Sequence, residues 1–296
     1  MKILVTGGRG FIGSHFVERA LDEDWVIVDI DKETYASSKS LPWDNNQNYT
    51  FIKQDIKDVT HLPSCDYLVN FAAESHVDNS ISSSTVFMDS NCYGVHNLLE
   101  LVRGKKRYDR PLFFQISTDE VYGDREVGEF SESECLKPSN PYSATKAAAE
   151  MLILSYSRTY DIDYVITRST NNYGERQYEE KLIPNTISSL QHDRKVPVHG
   201  DGSYVRDWMY VKDNVDAIFT IIKNNIKNEI FNIGARNYMT NLEVVDEVLS
   251  WHNKARTHIS FVENRWGQDL RYAVNNDKLS KLGWRPKHES GIYKWF

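Results

Sequence analysis

Lys2-Ile3-Leu4-Val5-Thr6-Gly7-Gly8-Arg9-Gly10-Phe11-Ile12-Gly13 is the stretch whose reading decides the fold. Its first five residues carry no charge after Lys2, the pattern of a strand buried on both faces. Glycines break the run, and apolar residues then recur at Phe11, Ile12, Phe16, Val17, Ala20 and Leu21, a helical rhythm. Trp25-Val26-Ile27-Val28-Asp29-Ile30-Asp31 follows as a second strand ending in acid. That is a βαβ unit, and its right-handed crossover implies a parallel sheet. Gly7, Gly10 and Gly13 fit GxxGxxG, while Gly8, Gly10 and Gly13 also fit GxGxxG. Such glycines allow a tight turn, close approach of a pyrophosphate to the backbone, and close packing of helix on strand. The helix N-terminus adds amide donors and a positive dipole end. Acids follow about 20 residues on, as a dinucleotide site requires. Asp31 is the choice for the adenosine ribose hydroxyls, with Asp29 second. An acid there favours NAD over NADP, because a 2′-phosphate would be repelled.

Outward from this unit the alternation continues. Strand-like runs lie at residues 49–52, 67–71, 112–117 and 164–167, with helical stretches at 84–103 and at 142–160, the latter preceded by Pro141. Strands alternating with helices give an α/β fold, a Rossmann-type doubly wound parallel sheet. Beyond about residue 168 the rhythm loosens into loop-rich sequence, expected to form a smaller C-terminal substrate-binding domain over the sheet's carboxyl edge. A helix and strand within 218–233 return to the sheet. The expected division is 1–168 with 207–233 for the NAD-binding domain, and 169–206 with 234–296 for the nucleotide-sugar-binding domain.

Composition narrows the function classes. The chain has 296 residues, 35 Lys+Arg against 42 Asp+Glu, and a net charge of −7. A nucleic acid or an anionic membrane is therefore not expected as the main partner. An anionic small molecule is compatible, since a few local arginines suffice to hold one. Cys65, Cys92 and Cys135 are far apart with no CxxC pair, and the histidines show no metal-ligand spacing, so neither a disulfide framework nor a metal is expected. The apolar run Ile3-Leu4-Val5 is too short for a signal-peptide core, and nothing approaches about 18 consecutive apolar residues. The expectation is a soluble, cytoplasmic protein.

The second motif is Tyr142-Ser143-Ala144-Thr145-Lys146. On a helix, positions i and i+4 share a face, so the Tyr hydroxyl and the Lys ammonium can enter one cleft. A tyrosine of ordinary pKa about 10 is a poor base at neutral pH. A neighbouring Lys⁺ and the positive ring of NAD⁺ stabilise tyrosinate, and the pair can take a proton from a sugar hydroxyl during hydride transfer.

Thr6 to Gly13 together with YxxxK at Tyr142 resembles the extended short-chain dehydrogenase/reductase family. Ala72-Ala73-Glu74-Ser75-His76-Val77-Asp78, Ser117-Thr118-Asp119-Glu120-Val121-Tyr122-Gly123-Asp124 and Asn171-Asn172-Tyr173-Gly174 narrow the likeness. So do Lys181-Leu182-Ile183-Pro184, Arg206-Asp207-Trp208 and Gly267-Gln268-Asp269-Leu270-Arg271-Tyr272. These are similar to the nucleotide-sugar 4,6-dehydratases, the dTDP-glucose branch in particular, over essentially the whole chain. A simple 4-epimerase needs only the Tyr/Lys pair, a Ser/Thr and NAD. Eliminating water from C5 and C6 needs a further acid and base. The resemblance assigns the acid to Asp119 and the base to Glu120, beside Thr118, Tyr142 and Lys146.

The same resemblance implies a cofactor set of Gly7, Gly10, Phe11, Ile12, Gly13, Asp31, Lys32, Thr34, Asp55, Ile56, Phe71, Ala72, Ala73, Ser75, Ser90, Tyr142, Lys146 and Asn172. It implies a substrate set of Ser75, Thr118, Asn171, Lys181, Leu182, Pro197, His199, Arg206, Asn241, Arg265 and Gln268. Arginine suits phosphate because its planar fork pairs oxygens bidentately. Three positions depart from the family: His199 replaces Tyr, Gln268 replaces His, and Glu175 replaces Pro. The nucleotide is therefore left open between dTDP and UDP, and the C2 substituent between glucose and N-acetylglucosamine. A 4-epimerase or decarboxylase of the same superfamily and a catalytically silent NAD-binding protein are the competing readings. Members of this family commonly form dimers, so a homodimer is expected.

Overall fold

The computed structural model describes residues 1–264, 267 and 269–295. Seven strands form one parallel sheet: β1 (Lys2–Thr6), β2 (Val26–Asp31), β3 (Tyr49–Lys53), β4 (Tyr67–Asn70), β5 (Leu112–Thr118), β6 (Tyr164–Ser169) and, much later in the chain, β10 (Glu229–Ile233). Their order is β3-β2-β1-β4-β5-β6-β10, with every pairing parallel. Chain order reverses at β1, which has β2 on one side and β4 on the other. Open α/β sheets bind ligands outside the carboxyl ends of their strands at such a switch point.

The strand pattern explains the two layers. Ile3 and Val5 of β1 bury against Phe16, Val17 and Ala20 of α1 (Phe11–Asp22) and Ile218 and Phe219 of α7 (Val211–Lys223). Leu4, between them, faces the other way, into Leu98 and Leu99 of α4 (Gly94–Gly104) and Ala149 and Ile153 of α5 (Pro141–Tyr160). Each of the Ile, Val, Leu and Phe side chains contributes about 1.5–3 kcal/mol on full burial, so the sheet's register is strongly specified. The helix expected over 84–103 is built from three successive pieces, α3 (Thr85–Phe87), a π-helical turn (Met88–Tyr93) and α4. The helix expected near 218 starts earlier, at Val211, directly from the end of a strand.

That strand belongs to a second unit. β7 (Asn171–Tyr173), β9 (Val205–Tyr210) and β11 (Tyr238–Thr240) form a three-stranded sheet, and β8 (Val196–His199) pairs with β12 (Ile259–Val262). Helices α6 (Leu182–Gln191) and α8 (Asn241–Trp251) pack there around Tyr173, Ile183, Trp208, Val244 and Val248. Two short helices, α2 (Val77–Ser82) and α9 (Asp277–Ser280), complete the described α-helices. No described helix is long and apolar enough to cross a membrane.

Candidate active site

The glycine turn after β1 is closed by contacts that admit no side chain. A Cβ on Gly13 would stand 2.2 Å from the Gly7 carbonyl oxygen, and one on Gly7, whose φ is +74°, 2.6 Å from the Ala72 nitrogen. Gly10 is different: a Cβ there meets only the Gly7 oxygen, at 3.2 Å. It is the N-cap of α1 and offers no side-chain acceptor to the first-turn amides. Free amides, a positive dipole end and a bare backbone fit a pyrophosphate, so the chain's residues suit a dinucleotide.

One cavity runs from this turn to the start of α5. Of the residues expected at the cofactor, Gly7, Gly10, Phe11, Ile12, Gly13, Asp31, Lys32, Thr34, Asp55, Ile56, Phe71, Ala72, Ala73, Ser75, Ser90, Tyr142 and Lys146 line it. Asp31 ends β2 with its carboxylate accepting from the Arg9 and Glu33 amides at 3.1 and 2.7 Å. Asp29 lies underneath instead, accepting from the Gly8 amide at 2.9 Å and the Tyr49 hydroxyl at 2.8 Å. It braces the turn, and burial pushes its carboxyl up to about 7. Lys32 bonds Ser90 Oγ at 2.9 Å and sits 3.1 Å from Glu74 and 3.6 Å from Asp55, so its charge is met by protein acids.

The start of α5 sets the reacting end. Pro141 occupies the first turn, where its missing N–H costs nothing. Asn140 and Ser143 form a capping box that places Tyr142 on the inner face. The Tyr142 amide donates to Ser80 Oγ at 3.2 Å. Burial, then the charge of Glu120, holds the Tyr142 phenol well above its ordinary range. Lys146 donates to the Ile116 carbonyl at 2.6 Å, and burial pulls its ammonium down to about 8.

Asp119 and Glu120 begin a 3-10 turn after β5 whose cap is Thr118, its hydroxyl accepting from the Glu120 amide at 3.3 Å. The turn sends the two acids into different surroundings. Asp119 is buried, and its Oδ2 has no hydrogen-bond partner among the described residues. Burial, with Glu120 and Asp207 nearby, raises it far above the carboxylate range. Glu120 lines a second cavity and is met by Asn140 Nδ2 at 3.4 Å. Burial raises it too, but Arg206, Asn140 and Lys181 oppose that rise.

The second cavity holds most of the expected substrate residues: Ser75, Asn171, Lys181, Leu182, Pro197, His199, Arg206 and Asn241. Thr118 lines neither cavity; it caps the turn that carries the acids. Asn172, expected at the cofactor, opens here instead, because β7 pairs with β9 in the smaller sheet. Arg206 donates to the Asp269 carbonyl at 2.9 Å and the Val205 carbonyl at 2.8 Å, and stacks 4.3 Å over Tyr272. Arg265 and Gln268 lie outside the described residues. Ser75, Gln177, Glu180 and Lys181 line both cavities, so the two are joined. Gln177 and Glu180 went unread in the sequence. Their only signal was a position between two recognised motifs.

Residues 4–291 match the family model described as GDP-mannose 4,6 dehydratase. The low-salt glycan biosynthesis protein Agl12 of Haloferax volcanii is 44% identical over 294 residues, 97% of this chain and 94% of that protein. The dTDP-glucose 4,6-dehydratase of Haemophilus influenzae is 39% identical over 333 residues, covering 100% of this chain and 98% of its own. The structure of the dTDP-glucose 4,6-dehydratase DesIV from Streptomyces venezuelae, with NAD and TYD bound, superposes with a TM-score of 0.93 at 36% identity, covering 97% of this chain and 92% of that one.

Proposed function

The chain belongs to the GDP-mannose 4,6 dehydratase family, and from that premise we propose that it removes water across C5 and C6 of a nucleotide-hexose, giving the 4-keto-6-deoxy sugar. It is an NAD-dependent enzyme of nucleotide-sugar metabolism acting on a dTDP- or UDP-hexose. The observation that carries the dehydratase reading over a 4-epimerase is the Asp119-Glu120 pair. Two adjacent acids stand beside Tyr142, one buried and raised far above the carboxylate range, the other open to the sugar cavity. Environments that push two carboxyls apart divide acid from base.

Thr118 and Tyr142 hold the C4 hydroxyl, and Tyr142 takes its proton with Lys146 supplying positive charge beneath. Bound NAD⁺ supplies hydride acceptance from C4 and hydride return to C6, so the reaction consumes no external oxidant or reductant. The C4 ketone acidifies C5–H, and Glu120 removes that proton. Asp119 gives its proton to the departing C6 hydroxyl, which leaves as water. Glu120 then returns a proton to C5. Residues 1–168 with 207–233 serve the dinucleotide in this proposal, and 169–206 with 234–296 the sugar nucleotide, save that 207–210 end β9 and pair in the smaller sheet.

A homodimer is part of the same reading. Val86, Met88, Tyr93 and Met151 are 41–60% exposed along the adjoining helical segments 85–104 and α5, an apolar face that a second copy would cover. A cytoplasmic setting is supported by three unpaired cysteines. The deciding experiment is incubation with dTDP- and UDP-hexoses followed by mass analysis. Loss of one water from the sugar is expected. An isobaric product with inverted C4 would replace this reading with an epimerase.

A further inference from the structure

Glu150 continues the functional face of α5. Tyr142, Lys146 and Glu150 stand at i, i+4 and i+8, and Glu150 is fully buried. Its carboxylate accepts from Ser117 Oγ at 2.5 Å and from Arg168 Nη2 and Nε at 2.7 and 3.1 Å. Arg168, on β6, is equally buried and spends further donors on the Tyr122 hydroxyl at 2.6 Å and the Glu132 carbonyl at 3.2 Å. Ser117 precedes Thr118 and lines the cofactor cavity. A buried ion pair is rarely worth more to stability than apolar residues of the same volume. Its position one helical turn behind Lys146 gives it a second use.

We propose that Glu150 is a positioning residue for the oxidation step, the fixed anion one turn behind Lys146 that keeps it charged, with Arg168 and Ser117 locking the carboxylate in place. The inference rests on the reading of Tyr142 and Lys146 as the pair that oxidises C4. Every element packed on Lys146 agrees with the assignment. The π-helical turn brings Cys92, whose thiol burial holds neutral. β5 offers the uncharged Ile116 carbonyl, and the charged residue of β6, Arg168, is paired with Glu150. Towards the cleft lie Tyr142, Glu120 and Asp119. Burial alone drives Lys146 towards neutrality, and Glu150 is the largest influence opposing it. A neutral Lys146 would leave Tyr142 protonated in the working range.

The test compares the cofactor-loaded full chain with Glu150→Gln, Glu150→Asp and Glu150→Gln/Arg168→Met, each also carrying Tyr142→Phe as its reference. NADH formation is followed against pH with the hexose that the wild type turns over. The ultraviolet band of tyrosinate, taken without substrate as the difference from each Tyr142→Phe partner, titrates Tyr142 directly. Glu150→Gln should move both titrations to higher pH and slow NADH formation at neutral pH by roughly 10–100-fold. Glu150→Asp should keep the wild-type profile. The double variant removes the buried unpaired guanidinium, so it folds where the single change fails, and it should still show the alkaline displacement. A wild-type profile in the folded Gln or double variant, beside an inactive Tyr142→Phe, overturns the inference and leaves Glu150 as a tie between helix and sheet. NADH formation that survives Tyr142→Phe overturns the oxidation pair, and this inference with it.

Discussion

Glu120→Gln divides the proposed cycle and also alters its first half. After burial, the charge of Glu120 is the largest influence lifting both Asp119 and Tyr142 above their ordinary ranges. Glutamine keeps the shape and removes the charge, relieving the repulsion that a forming tyrosinate meets. A like charge within one site moves a titration by about one to two pH units, or about 1.4–2.7 kcal/mol. The acid limb of NADH formation should therefore move down by that amount. Below the wild-type limb, the variant should oxidise C4 roughly 10–100-fold faster. Elimination has the opposite fate, because loss of a positioned base costs about 10²–10⁴-fold. Stopped-flow absorbance of NADH between about pH 5 and pH 8, with product masses at matched times, reads both halves. The expected record is NADH that forms, persists, and yields no product lighter by one water. Dehydration near the wild-type rate would remove Glu120 as the C5 base. An acid limb that stays put or moves up would show that its charge does not reach Tyr142.

Three further outcomes follow from named contacts. Asp29 is raised in the folded protein, so its contribution to stability is fully present below about pH 4 and is lost as pH rises through about 7, an effect of about 4 kcal/mol. Asp29→Asn, which mimics the protonated side chain, should match wild-type melting at low pH and exceed it near pH 8. A parallel pH dependence of the two proteins would refute this. Asp31→Asn should raise affinity for NADP⁺ relative to NAD⁺ by about tenfold or more in calorimetry, since a nearby charge is worth about one pH unit or 1.4 kcal/mol here. An unchanged ratio would detach Asp31 from the ribose. His199 donates Nδ1–H to the Glu263 carbonyl at 2.9 Å, which leaves Nε2 as an acceptor for a pyrimidine N3–H. Wild-type turnover of UDP- and dTDP-hexoses should lie within roughly 10–100-fold of each other, because one methyl in an apolar pocket discriminates weakly. His199→Tyr should change that ratio, and a constant ratio would remove His199 from base recognition.

The sheet was legible because its strands are buried on both faces and therefore read as apolar runs. The glycine turn was legible because each glycine answers a different steric demand, as the contacts at Gly7, Gly10 and Gly13 show. What the sequence left dark depends on pairings across long separations. Asp29 and Asp31 both end the second strand in sequence, and it is the Gly8 amide together with the Tyr49 hydroxyl, 20 residues on, that makes Asp29 a brace. Glu175 looked like a departure from the family. In the fold its carboxylate accepts from the Tyr210 hydroxyl, and its carbonyl meets His15 Nε2 at 2.8 Å. Arg176 beside it donates to Ser14 and Glu18, so this loop is fastened to α1 across some 160 residues. The position of Gln177 on both cavities follows from that fastening, and no local pattern announces it.

The acids show how little geometry is needed to make two chemistries from one dipeptide. Asp119 and Glu120 share a charge type, a turn and a neighbour in Arg206. The 3-10 turn rotates them apart, so the shorter side chain is left under the turn with an unpartnered oxygen while the longer reaches the cavity. A carboxyl without solvent or a second hydrogen bond holds its proton more tightly, and one that faces Asn140, Lys181 and Arg206 gives its proton up more readily. The mutual repulsion reinforces the split, since ionising Glu120 raises Asp119 further. Acid and base are thus set by one element of local structure acting on adjacent residues. Exchanging them, Asp119→Glu with Glu120→Asp, should move each carboxyl out of its surroundings and cost dehydration far more than C4 oxidation. NADH formation and water loss falling together would mean that the turn positions the sugar as well as its protons.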